Sequence, residues 1–178
     1  IVWVSPVPWI GKKGANVYGD VRSDEFGYFH HTNLIERSRI RTNKAGAKIP
    51  PGDEDHWSAY ATERREMADF IRDNKIRGLC ILHGDSHMLA ADDGSNSDYA
   101  TGGGAPIPVM CGAPLDQEPS LKGGPYSQGV YRMKRGEGGF GWMTIDDRGD
   151  HLDVAYSGRN NRNEEKLSMK FRVEAKQP

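Results

Sequence analysis

The chain has 178 residues, 36% of them hydrophobic and 28% charged, with 22 glycines, 10 prolines and a formal net charge of −1. This apolar content excludes an intrinsically disordered chain, and the density of turn formers marks a loop-rich globular protein, either one domain or a piece of something larger. Acids and bases alternate, as in Glu63-Arg64-Arg65-Glu66, which argues against nucleic acid as a partner, and the longest apolar run, Leu79-Cys80-Ile81-Leu82, is far short of the roughly 20 residues that cross a bilayer.

Ile1-Val2-Trp3-Val4-Ser5 is a β-rich apolar run halted by Pro6 and Pro8, the pattern of a buried strand ending where a loop begins. A chain that opens in mid-strand reads as cut, and no initiator Met or leader-like segment precedes it, so localisation is not read from the sequence itself. Residues 11–55 are polar and irregular, with turn signals at Gly19-Asp20, Lys44-Ala45-Gly46 and Pro50-Pro51-Gly52 and a weak helical stretch over 34–40; so long a loop is usually functional or mobile. Residues 60–74 are amphipathic: Tyr60, Met67, Phe70, Ile71 and Asn74 fall on one face and Glu63, Arg65, Glu66, Arg72 and Asp73 on the other, predicting a helix for which Ser58 suits the start.

Leu79-Cys80-Ile81-Leu82 then reads as a strand buried on both faces, followed at once by His83-Gly84-Asp85-Ser86-His87. Helix, tight connection and buried strand make half of an α/β layered unit, in which ligands bind beyond the carboxyl ends of strands. A Gly/Ser/Asp-rich loop over 92–104, a strand over 107–110 and a flexible stretch over 112–129 follow. Segments 129–133, 140–145 and 152–156 alternate enough to predict an antiparallel meander, with a turn at Asp146-Asp147-Arg148-Gly149-Asp150 and a charged edge strand over 170–174. The two cysteines permit one disulfide, but Cys80 within an apolar run fits a free buried thiol better.

Chemistry concentrates after the second strand. Asp85 and His87, one residue apart, could bring a carboxylate oxygen and an imidazole nitrogen to one cation, a donor pair suited to zinc, iron or manganese, with calcium where oxygens dominate. The competing reading makes Asp85 a helix cap and His87 a loop hydrogen-bonder. His83 could orient a ligand, act as an outer acid, or simply end the strand. Gly84-Asp85-Ser86 also matches the opening motif of GDSL-type serine esterases, with Ser86 as nucleophile, but such a serine needs a late Asp-x-x-His pair; the residue three before His151 is Arg148.

Asp55, Trp57, Tyr60 and Arg64, then the amphipathic helix, the buried strand and Gly84-Asp85-Ser86-His87, together resemble the C-terminal part of the PhoD-like alkaline phosphatases, with their D-x-W-x-x-Y-x-x-x-R element and strand-end G-D-x-H. The opening strand with Pro8-Trp9 and the closing strands around Trp142 and Tyr156 extend the resemblance over nearly the whole chain. It implies a calcineurin-like metallophosphoesterase β-sandwich with flanking helices, an α/β layered class, and Asp85 and His87 as metal ligands. It also implies hydrolysis of phosphodiesters or monoesters by divalent or trivalent ions (Fe, Ca, Zn or Mn) and a location outside the cytoplasm. Trp57, Tyr60 and Arg64 become substrate-proximal candidates and His83 a catalytic one; packing for the two aromatics, and a local ion pair to Glu63 or Asp69 for Arg64, are the alternatives.

Departures are Ser58-Ala59 in place of Asp-Gly and the histidine at position 83. The family's N-terminal metal motifs have no counterpart before Ile1, and two ligands do not hold a multinuclear site. Residues 1–178 are therefore expected to be a single domain or the C-terminal fragment of a larger one, inactive alone, with 11–55 as a long loop and 129–178 as the strand meander. A non-catalytic binding module of the same fold is the remaining alternative.

Overall fold

The computed structural model describes residues 1–11, 41–42, 48–49, 57–112 and 114–174. Most of the 11–55 segment, including the helical stretch expected over 34–40, lies outside them, apart from a short antiparallel pair, β2 (Arg41–Thr42) with β3 (Lys48–Ile49). The remaining elements build an α/β layered structure: a five-stranded mixed sheet with a helix on one face and a three-stranded antiparallel sheet on the other. Among the described residues no helix is long and apolar enough to cross a membrane.

The larger sheet has the order β1-β4-β6-β5-β7, where β1 is Val2–Ser5, β4 Cys80–His83, β5 Leu89–Asp92, β6 Val109–Gly112 and β7 Gly129–Tyr131. Strands β1, β4 and β6 run parallel in a register that aligns Ser5 with His83 and His83 with Cys111. The apolar run of β4 is buried on both faces because it is central, as its unbroken hydrophobicity predicts. β1 was expected to be equally buried. Among the described residues it is instead an edge strand, with β4 as its one neighbour, and Val4 is 71% exposed.

Side chains alternate across the sheet. Ile81, Val109, Cys111 and Ala90 face the helical layer; Cys80, Met110 and Ala91 face the smaller sheet. The helix, α1 (Ala61–Asp73), follows a 3-10 turn at Trp57–Tyr60 and has no side-chain N-cap. Its inward stripe is Arg64, Ala68 and Ile71, spaced four and three residues apart, while Phe70 is 60% exposed. Ile71 and the partly buried Met67 of the expected apolar face pack on the core, Phe70 does not, and Arg64 and Ala68, which that face left out, complete the stripe.

Strand β5 carries no sequence signal, since Leu89-Ala90-Ala91 has weak β propensity, and burial on all four residues supplies what local preference lacks. Segment 129–133, expected in the meander, joins the larger sheet as β7 beside β5. The meander itself is β8 (Gly139–Asp147), β9 (His151–Asn160) and β10 (Glu165–Glu174), in the order β10-β9-β8. Both cysteines are free and buried.

The sheets approach closely where Gly141 meets Gly112: a Cβ on Gly141 would lie 2.8 Å from the Tyr156 ring. There the Tyr156 hydroxyl donates to the Cys111 carbonyl at 2.5 Å. Past β8 the smaller sheet ends while the larger continues through β4 to β1, leaving a step with a cavity of about 270 Å³ lined by Val4, Leu82, Gly112, Met143 and Tyr156.

The other end of the smaller sheet is fixed by a polar knot. Asn160, fully buried, donates to Glu137 Oε1 at 2.8 Å and Glu164 Oε2 at 2.7 Å, and Glu137 Oε2 accepts from the Lys134 backbone and the Tyr131 hydroxyl. Donation from Lys166, then from Asn160, lowers the Glu164 pKa from 4.5 to about 2, and the Lys134 N–H, then Asn160, lowers that of Glu137. Carboxylates with depressed folded pKa values contribute stability that is complete above their ordinary value and is lost as acid protonates the folded state. The protection of amides in the 160–165 turn, taken relative to their intrinsic exchange rates, is therefore expected to fall as pH drops from 4.5 toward 2, ahead of the larger sheet, and Glu164→Gln should flatten that dependence; pH-independent protection of the turn would contradict the role given to these carboxylates.

Candidate functional site

Because β1, β4 and β6 are parallel, their carboxyl ends open at one edge, and the segment after β4 emerges between two neighbours. Gly84-Asp85-Ser86-His87 turns sharply there, with the Ser86 N–H bonded to the Gly84 carbonyl at 2.8 Å. Asp85 and His87 have φ of 64° and 54°, left-handed conformations that cost non-glycine residues about 1–2 kcal/mol each. The alternation puts Ser86 wholly inside, exposes Asp85 and leaves His87 half-exposed, so the two candidate ligands share the outer side of the turn.

A second segment holds this strained turn. The Ser120 N–H donates to the His87 carbonyl at 3.1 Å, the Ser120 hydroxyl to the Ser86 carbonyl at 2.8 Å, and His87 Nδ1 lies 2.8 Å from the Glu118 carbonyl. A carbonyl only accepts, so Nδ1 carries a proton, and in the neutral ring the lone pair is then on Nε2. Lys122 Nζ, from the same segment, sits 3.2 Å from Asp85 Oδ2. Residues 118–122, within the 112–129 stretch, are thus laced to the turn. Glu118, Ser120 and Lys122 escaped the sequence reading because isolated residues in a Gly/Pro-rich loop have no periodicity.

His83 is buried on the face toward the helical layer, with Nδ1 3.0 Å from the Gly84 carbonyl and its ring stacked on Tyr126 at 6.5 Å between centroids. Ser86 Oγ is inaccessible and has no basic partner among the described residues; it adjoins the Cys111 thiol, whose pKa burial pushes up to about 12 although hydrogen bonding from Ser86 partly offsets the effect. This is not the surroundings of an activated serine, which needs a base and access to substrate. Among the described residues no three His, Cys, Asp or Glu side chains gather to hold one ion. The donors that are present, an outward carboxylate and an imidazole with a fixed tautomer, fit a share in a metal site: hydrogen bonding at one ring nitrogen is the usual way of aiming the other at a cation.

Trp57 belongs to the same edge. Its indole donates to Ser5 Oγ at 3.1 Å, at the end of β1, and its backbone N–H to the Pro8 carbonyl. Trp3, Trp9 and Trp57 meet edge to face at 5.4–5.8 Å, and Tyr60 stands 6.1 Å from Trp57. Arg64 lies within this aromatic layer, 1% exposed, donating to the Trp9 carbonyl at 2.8 Å with its guanidinium 3.5 Å from the centroid of the Tyr99 ring. Burial lowers its pKa. Asp69, one of the two partners expected for Arg64, instead takes Arg72 and Thr101. The structure thus groups Asp85 and His87 on the turn with Trp57 at the neighbouring strand end, and places Tyr60 and Arg64 among the supporting aromatics; Asp55 lies outside the described residues.

Truncating Arg64 removes a buried hydrogen bond and a stacked cation together. Arg64→Ala is expected to destabilise the protein by about 3 kcal/mol, with Arg64→Lys restoring only part, since an ammonium does not reproduce a planar guanidinium over a ring. Urea unfolding measures both, and a loss below about 0.5 kcal/mol would assign the support to the rings alone.

Comparison with known proteins places these features in a family. The family model described as PhoD-like phosphatase matches residues 21–150, more than half of the chain and inclusive of the Trp57–Arg64 segment, the helix and the Asp85–His87 turn. No curated protein and no solved structure matches. The chain belongs to the PhoD-like phosphatase family.

Proposed function

We propose that this chain is the carboxyl-terminal part of a metal-dependent phosphodiester or phosphomonoester hydrolase, and that Asp85 and His87 are its contribution to a metal site completed by residues outside it. The observation that carries the reading is the Glu118–His87 hydrogen bond, which fixes the imidazole tautomer and leaves Nε2 as donor beside an outward-facing Asp85. Oxygen and nitrogen donors suit iron, zinc, manganese or calcium. When bound, such ions polarise the phosphoryl group and acidify water.

The protein's own share is positional. The 118–122 segment keeps Asp85 and His87 in their left-handed conformations, Trp57 walls the edge beside β1 with Tyr60 packed against it, and His83 supports the turn from beneath through its contact with Gly84. Among the described residues β1 and β8 are outer strands of their sheets and Val2 and Val4 are exposed, which leaves room beside Leu82 and Met143 for further strands and supports the reading of a partial chain. An extracytoplasmic location belongs to the same reading. Burial of Ser86 without a basic partner among the described residues favours the metal mechanism over a serine nucleophile.

Elemental analysis of the full-length protein, with phosphodiester hydrolysis assayed in parallel, tests the proposal. Asp85→Ala and His87→Ala should each lose at least about tenfold in metal affinity and about a hundredfold in kcat, and chelation should abolish turnover. Ser86→Ala should keep most activity, and the 178-residue piece alone should hold little metal and show no turnover. Metal-free protein that hydrolyses esters and loses all activity in Ser86→Ala would replace this mechanism with a serine esterase.

A further inference from the structure

Lys122 lies in no motif, yet it is the cation placed against the proposed metal-site turn. Three hydrogen bonds fasten residues 118–120 to residues 86–87, and Gly123, at φ 75°, packs so tightly that a Cβ there would stand 2.3 Å from the Ile10 carbonyl oxygen. Anchored on both sides, Lys122 has little freedom in where its stem begins. Its ammonium reaches Asp85 Oδ2 at 3.2 Å, with the lysine side chain 29% and the aspartate side chain 37% exposed. A half-exposed pair of this kind contributes little to folding.

An ammonium has three donors, and Asp85 is its one hydrogen-bond acceptor among the described residues. The remaining donors are available to an anion next to the outward face of the turn. We propose that Lys122 is a substrate-positioning residue, holding a phosphoryl oxygen of the phosphoester while Asp85 fixes the ammonium in place; this rests on the phosphohydrolase reading above. A compact cation beside a carboxylate ligand suits a dianionic or monoanionic phosphate, whose charge the neighbouring aspartate would otherwise repel.

The test compares wild type, Lys122→Gln and Lys122→Arg in the full-length, metal-loaded protein, measuring inorganic phosphate binding by calorimetry, kcat and KM for a phosphodiester, metal per chain and melting temperature. Lys122→Gln should weaken phosphate binding and raise KM, each about tenfold, with metal content unchanged and melting within about 2 °C of wild type, and Lys122→Arg should recover most of the phosphate affinity. Unchanged phosphate affinity and KM in Lys122→Gln, or a change that comes only with loss of metal, would reduce Lys122 to a counter-ion of Asp85 and overturn the proposal while leaving the hydrolase reading intact. A wild-type protein that neither binds phosphate nor hydrolyses phosphoesters would overturn both.

Discussion

The structure depends on the register of three parallel strands. Ser5, His83 and Cys111 finish side by side, so whatever follows β4 must leave the sheet between two neighbours and turn at once. Slipping β4 by one residue against its neighbours would exchange its faces: Ile81 would turn from the helical layer to the smaller sheet, and His83 would leave its place against Tyr126. Each fully buried apolar side chain on these strands is worth roughly 1.5–3 kcal/mol, enough to specify the register firmly and with it the position of Asp85 and His87.

Strain at the turn is affordable because two independent layers surround it. On one side the tryptophan cluster, tied to the strand end through Trp57 and Ser5 and backed by Arg64 over Tyr99, forms a rigid wall. On the other, the 118–122 segment satisfies turn carbonyls and His87 Nδ1. The same hydrogen bonds that offset left-handed backbone at Asp85 and His87 also set the imidazole tautomer and bring in Lys122, so conformational and chemical roles share one set of contacts.

Much of this was legible in the residues. The unbroken hydrophobicity of β4 gave its central position, alternation gave β8, β9 and β10, and the spacing of Asp85 and His87 marked the turn. The misses have physical causes. Ala90 and Ala91 enter β5 by tertiary burial and not by propensity; Arg64 hides the true helix face because a buried cation mimics a surface residue; and β7 joins the larger sheet although its sequence matches the meander equally well. Lys122 and Ser120 were invisible because their importance comes from long-range contact, 37 residues from Asp85 in one case and 34 from Ser86 in the other.

The most direct test of the central claim is to locate the cation itself. Crystals of the full-length protein grown with manganese would place the ion by anomalous scattering. The expected result is a peak within coordination distance of His87 Nε2 and of an Asp85 oxygen, with His87 Nδ1 still bonded to the Glu118 carbonyl. A manganese ion bound elsewhere, with Asp85 and His87 untouched, would contradict the assignment of this turn as the chain's share of the metal site.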